Sequence, residues 1–287
     1  MLWIKIMKGA DMKSNKNLIM SSFFMFAISL VCLMTASYAW FSMAGSVEVH
    51  SPEFSASAPD NLQISSDGEN WASSISVSLG NASELQINPA SSYTGIDEKI
   101  FYTEKVNDGV SDENTEFEVA SNNVTKENER YYLDVPLWIR TTGDKDVKIA
   151  LDVKDTFVKD LDKDGNVTEN KEIAKAVRIA FINPSKNKNA LNTLDELNRD
   201  IPLVYSANGK FNGKVISSLN ENKTAIKETP VYLSNLTPML LVPAYSQTNQ
   251  KGTPFIARIW IEGEDPNCVF ANGGKSFAIS LKFIAMD

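Results

Sequence analysis

The chain has 287 residues, 43% of them hydrophobic and 22% charged. That is long and apolar enough to bury a sizeable core, which excludes disorder throughout. Its 36 acidic residues outnumber 28 basic ones, for a formal charge of −8. A surface of that sign repels phosphate backbones, so nucleic acid is excluded as a partner.

At the N-terminus Lys5, Lys8, Lys13 and Lys16 precede an uncharged stretch from Asn17 to Val47 whose apolar part runs from Leu18 to Phe41. A basic flank followed by an apolar helix is the order of an export signal, and the small residues Thr35, Ala36, Ser37 and Ala39 suit cleavage between Ala39 and Trp40 by a signal peptidase. The same run exceeds the roughly 20 residues that a membrane-spanning helix needs, so a retained anchor is the competing reading. Its positive flank then leaves the bulk of the chain outside. Val31 before Cys32 is not the small residue that lipidation requires. Either way the domain is secreted or displayed at the cell surface. Without the first 39 residues, which hold four lysines and one aspartate, 24 of the 28 basic and 35 of the 36 acidic residues remain, and the charge falls from −8 to −11. Cys32 lies in the apolar run, so Cys268 has no intrachain partner in an exported domain.

Beyond the signal the pattern is that of strands. Val47 to Ala56, Leu62 to Ser65, Ile75 to Leu79, Glu84 to Ile87, Ile100 to Glu104 and Phe117 to Ala120 are short candidates. Leu133, Val135, Leu137 and Ile139 alternate with Asp134, Pro136, Trp138 and Arg140, the period of a half-buried strand. Pro136 marks an edge position or a bulge. After a turn at Thr142 to Lys145, Val147, Ile149, Leu151 and Val153 alternate again, and the pair reads as a hairpin. Glu172 to Ile182 reads as a helical turn entering a strand, and Leu191, Leu194 and Leu197 as a short helix. Val231 to Val242 is another strand candidate. Phe255, Ala257, Ile259 and Ile261 form one strand face, and Phe277, Ile279, Leu281 and Phe283 form the next. Many short strands separated by polar turns predict a mainly β fold, a jelly-roll-like antiparallel β-sandwich with short helices in its connections, preceded by the hydrophobic signal helix. The domain organisation is 1–39 signal or anchor, 40–56 N-terminal segment, and 57–287 one domain with polar insertions near 107–130 and 160–172.

Two stretches carry a resemblance. Ser37-Tyr38-Ala39-Trp40-Phe41-Ser42 at the end of the apolar run resembles the export signals of the TasA and camelysin family of secreted matrix proteins, which a dedicated signal peptidase processes. Ala257-Arg258-Ile259-Trp260-Ile261-Glu262-Gly263-Glu264-Asp265-Pro266-Asn267-Cys268 is similar to the last strands of related surface proteins. The resemblance covers both ends and, less clearly, Tyr132 to Leu151. It implies a jelly-roll subunit of an extracellular, Gram-positive biofilm matrix, in which an N-terminal strand freed by signal cleavage completes the sheet of the next copy. Val47, Val49 and Phe54 would form that donor strand, with the chain itself as partner, by main-chain pairing of the β-augmentation kind. The alternative is that residues 46 to 56 pair within their own subunit. The acidic insertions depart from the family pattern and weigh against fibre packing.

Few residues point to chemistry. Asp160, Asp162, Asp164 and Asn166 place carboxylates at alternate positions around Gly165, the arrangement of a calcium loop, but Lys171 stands at the twelfth position where such a loop carries glutamate. A solvated Asp-Gly turn is the competing reading. His50 is the only histidine, which leaves a Ser-His-Asp or Cys-His site dependent on a residue beside the export segment. No pair among the acidic residues stands out as a glycosidase pair. The expectation is therefore no enzyme, and no cofactor beyond that calcium loop. Trp71, Trp138 and Trp260 can line a sugar-binding face for cell-wall or matrix polysaccharide. Trp138 and Trp260 equally suit a second core layer or a subunit interface.

Overall fold

A computed structural model describes Met25 and residues 53–286 except 60, 79–85, 106–115, 121, 123–128, 162–165, 169–171, 185–201, 210, 235–236, 246–250 and 269–275. The chain divides into two units, Met1–Met43 and Ala44–Asp287. No described helix is long and apolar enough to cross a membrane. The expected signal helix apart from Met25, its cleavage residues Ala39 and Trp40, and Val47 and Val49 lie outside the described residues, as does the helix expected at Leu191 to Leu197.

The second unit is mainly β. Its elements are β1 (Glu53–Ser57), β2 (Leu62–Ser65), β3 (Ser74–Ser78), β4 (Gln86–Ile87), β5 (Phe101–Glu104), β6 (Phe117–Ala120), β7 (Glu129–Arg130), β8 (Tyr132–Thr141), β9 (Val147–Leu151) and β10 (Phe157–Leu161). Then follow α1 (Glu172–Ala176), β11 (Val177–Ile182), β12 (Leu203–Ser206), β13 (Val215–Leu219), β14 (Ala225–Glu228), β15 (Pro238–Val242), β16 (Thr253–Ile261) and β17 (Ser276–Met286). A six-stranded sheet runs β15-β9-β17-β1-β3, with β10 also on β17, and a five-stranded sheet runs β12-β11-β16-β8-β2. Pairing is antiparallel except for β1 on β17 and the short β4 on β7.

Both sheets contribute to one apolar core. Leu137, Ile139, Ile179, Phe181, Phe255 and Ile259 come from the five-stranded sheet, and Phe54, Ile149, Phe277, Ile279, Leu281 and Phe283 from the six-stranded one. The ring of Phe283 meets Phe255 edge-on at 5.6 Å and Phe181 at 6.4 Å, so aromatic edges from β11, β16 and β17 converge there. Such pairs add to the transfer free energy of the buried rings. The alternating residues of β16 and β17 identified from sequence are buried as expected.

Two expectations are corrected. β8 and β9 do not form a hairpin: β8 pairs with β16 and β2, whereas β9 pairs with β15 and β17 in the other sheet. A short polar turn between two alternating runs has the same sequence pattern whether the chain doubles back in one sheet or crosses to another. Pro136 nonetheless sits at a local edge, because β2 covers β8 only from Trp138 to Thr141. Phe54, expected in a donor strand, is buried in its own subunit, where β1 is inserted between β17 and β3. The self-pairing alternative is what the structure shows for residues 53–57.

The helical turn entering a strand is present as α1 and β11. Asp160 from β10 accepts the amide of Ala174 at 2.7 Å, supplying a side-chain acceptor to the first turn of α1, where amides lack intrahelical partners. Phe283 holds the convergence point of the core, so Phe283→Ala in the domain 44–287 should cost about 3–5 kcal/mol in urea unfolding. A cost below about 1 kcal/mol would contradict the packing described.

Candidate functional site

One strand of the five-stranded sheet, β11, is buried on both faces. Val177, Ile179 and Phe181 of β11 enter the main core, while Ala180 and Ile182 enter a second cluster with Ala90, Ile96, Phe101, Ala120, Val204 and Trp260. The second cluster is roofed by connections: β5 pairs with β6, β13 with β14, and Ile216 donates its amide to the Ser91 hydroxyl at 2.9 Å.

Polar side chains under this roof form two knots. Arg178 lies opposite Trp260 in the β11–β16 register, and Arg258 lies opposite Asp134 in the β16–β8 register. Arg178 is fully buried, and its Nη2 donates to Asp265 Oδ2 at 2.5 Å. Nη1 donates to the carbonyls of Lys175 and Val177, and Nε to the Tyr232 hydroxyl at 3.2 Å. The rings of Phe211 and Tyr232 flank the guanidinium at 5.0 and 5.3 Å. Asp265 also accepts the amide and side-chain NH of Asn267, which shapes the turn after β16. Arg258 makes a two-pronged pair with Asp134 at 2.6 and 2.8 Å, donates to the Ile96 carbonyl, and lies 4.8 Å from the Tyr132 ring.

Glu262 is the other buried carboxylate of the first knot. It accepts hydrogen bonds from Trp260 Nε1 and the Glu264 amide, both at 3.2 Å, and from the Ser91 hydroxyl. Burial pushes its pKa up to about 7, against the stabilising field of Arg178 and these donors. One guanidinium thus faces two sealed carboxylates, and a proton on Glu262 relieves the excess negative charge. Cys268 packs against the main core, and burial, together with the charges of Glu262 and Asp265, pushes its thiol up to about 12. That is the state of an unreactive thiol.

Trp260 is accordingly corrected as a ligand or interface aromatic. It is 1% exposed and packs edge-on against Phe101 at 5.5 Å, so the second core layer is its place. Trp138 keeps partial exposure beside an aromatic cluster that the sequence reading did not assemble. The Arg140 guanidinium stacks 4.3 Å from the Trp71 ring and 5.9 Å from the Tyr245 ring, and its Nε donates to Gln63 Oε1 at 2.8 Å. Two glycines with positive φ make room for the indoles. A Cβ on Gly252 would come within 2.5 Å of Trp71, and one on Gly68 within 3.3 Å of Trp138.

The calcium loop is corrected in part. Asp160 is a buried strand residue turned to α1, and its carbonyl accepts the amide of Thr168, while Leu161 bridges to Val167. Those contacts pair Asp160 and Leu161 with Val167 and Thr168, and take Asp160 out of the surface position that a calcium ligand needs. Asn166 is exposed, and Asp162 and Asp164 lie outside the described residues. Among the described residues no group of three His, Cys, Asp or Glu is placed to hold a metal ion.

Arg178, Asp265 and Arg140 escaped the sequence reading. The signal for Arg178 was a lone charge inside the apolar run Ala176 to Ile182, which demands a buried partner. No protein-family model, curated protein or solved structure matches the chain.

The raised pKa of Glu262 sets a pH dependence. Between about pH 4.5 and 7 the unfolded chain releases this proton while the folded one keeps it, so stability falls as pH rises through that window and levels off above it. The fall should be on the order of 3 kcal/mol. Urea unfolding at pH 5 and pH 8 should show this difference, and Glu262→Gln should remove most of it. An unchanged difference in the variant would contradict the assignment.

Proposed function

We propose that this chain is an exported, non-enzymatic structural protein of the cell surface or extracellular matrix, built as a jelly-roll-like β-sandwich. The observation that carries the reading is the use made of the C-terminal motif. Arg258, Trp260, Glu262 and Asp265 all turn into the layer beneath the roof and bond to strands and loops there. The stretch that resembles the TasA and camelysin family is therefore occupied in holding the fold. Core side chains shared between the two sheets support the sandwich, and the lysine-flanked apolar segment supports export. With Phe54 taken up in its own sheet, a donor role rests on Val47 and Val49 alone.

Expression of the whole chain in a Gram-positive host that carries the dedicated signal peptidase should release a protein whose mass begins at Trp40. Ala39→Lys should hold the chain at the membrane. Recovery of uncut wild-type chain from the cytoplasm would sink the reading.

The Trp71, Arg140 and Tyr245 stack, with Trp138 nearby, favours a second reading as a surface module that binds polysaccharide. Sugar rings stack on aromatic faces, and a guanidinium between rings presents a fixed positive charge to acidic sugars. Affinity for an acidic cell-wall polysaccharide should fall about tenfold or more in both Trp71→Ala and Trp138→Ala, a loss of about 1.4 kcal/mol or more. Equal binding by both variants would remove this reading.

A further inference from the structure

A sheet edge exposes unpaired amides and carbonyls, and folded proteins blunt such edges with proline, charge, bulges or a covering segment. Four edges in this domain are treated in that way. β15 carries Pro238 and a register shift before Leu240. Val167 bridges to Leu161 of β10, Tyr232 bridges to Val204 of β12, and Ala72 bridges to Ile64 of β2.

β3 is different. It pairs with β1 on one side, and among the described residues nothing pairs with its other side. Its sequence Ser74-Ile75-Ser76-Val77-Ser78 has no charge, no proline and no glycine. Ser74 and Ser76 are exposed, whereas Ile75 and Val77 are half-buried against the main core. The strand is also self-complementary. Two copies laid antiparallel about Ser76 place Ser76 opposite Ser76, Ile75 opposite Val77, and Ser74 opposite Ser78. β-branched residues facing each other across strands stabilise such pairs. The acidic surface repels a second copy elsewhere, and this uncharged edge does not.

We propose that β3 is a homodimerisation edge, at which the β3 of a second copy pairs antiparallel about a two-fold axis through Ser76 and continues the six-stranded sheet into its partner. The contact is isologous, so it closes as a dimer and does not propagate. The proposal is independent of export and of polysaccharide binding.

Disulfide cross-linking of the full chain in mild detergent, with Cys32→Ala and Cys268→Ala as background, tests the register. Across the two-fold, the Ser76 Cα atoms would lie about 4.5–5.5 Å apart, within reach of a disulfide. Two copies of Ser74 would be separated by about 14 Å. Ser76→Cys should therefore give a covalent dimer on mild oxidation, and Ser74→Cys should give no cross-link. Ser76→Lys, which sets like charges opposite each other, should weaken dimerisation at least tenfold by sedimentation. A monomeric Ser76→Cys protein, equal cross-linking of Ser74→Cys, or a dimer unaffected by Ser76→Lys would each overturn the proposal.

Discussion

A guanidinium removed from water must have its charge and its donors answered inside the protein. Arg178 meets that demand with Asp265, two backbone carbonyls and the Tyr232 hydroxyl. The partners come from separate parts of the chain: α1 and β11 supply the carbonyls, the turn after β16 supplies Asp265, and the segment after β14 supplies Tyr232. One side chain thereby fixes the position of three pieces of the second layer against the five-stranded sheet. Arg258 repeats the arrangement two residues before Trp260, tying β8 to the loop at Ile96.

The main core depends on that layer indirectly. β11 can be buried at all six positions only because the connections close over its outer face. Without the roof, Ala180, Ile182 and Trp260 would meet solvent. The same closure accounts for the raised Glu262 pKa, since that carboxyl lies where water has been excluded. The charged, tryptophan-bearing face of β16 at Arg258, Trp260 and Glu262 is thus an inner one.

Legibility followed the physics of each face. Period-2 alternation located β8, β9, β16 and β17, because each sets alternate apolar residues into the main core. It was silent on β10, β12, β13 and β14, which are short and lack a clean alternation over enough residues. In β12 the reason is direct: Leu203, Val204, Tyr205 and Ser206 are all buried, so no polar face marks the strand. Pairing was less legible than existence, as β8 and β9 show, since alternation specifies a face and not a neighbour. For the candidate site, Trp138 was found through its residue type. Arg178, Asp265 and the Trp71–Arg140–Tyr245 stack join residues far apart in the chain, a proximity that spacing does not encode.

The central claim is that the charges of the C-terminal motif serve the fold, and a double-mutant cycle on Arg178 and Asp265 measures it most directly. Urea unfolding of the domain 44–287 should show Arg178→Met and Asp265→Leu each costing about 3–5 kcal/mol, because each leaves a buried charge without its counterpart. The double variant should cost less than the sum by about 2 kcal/mol or more. Single costs below about 1 kcal/mol, or strict additivity, would contradict the account.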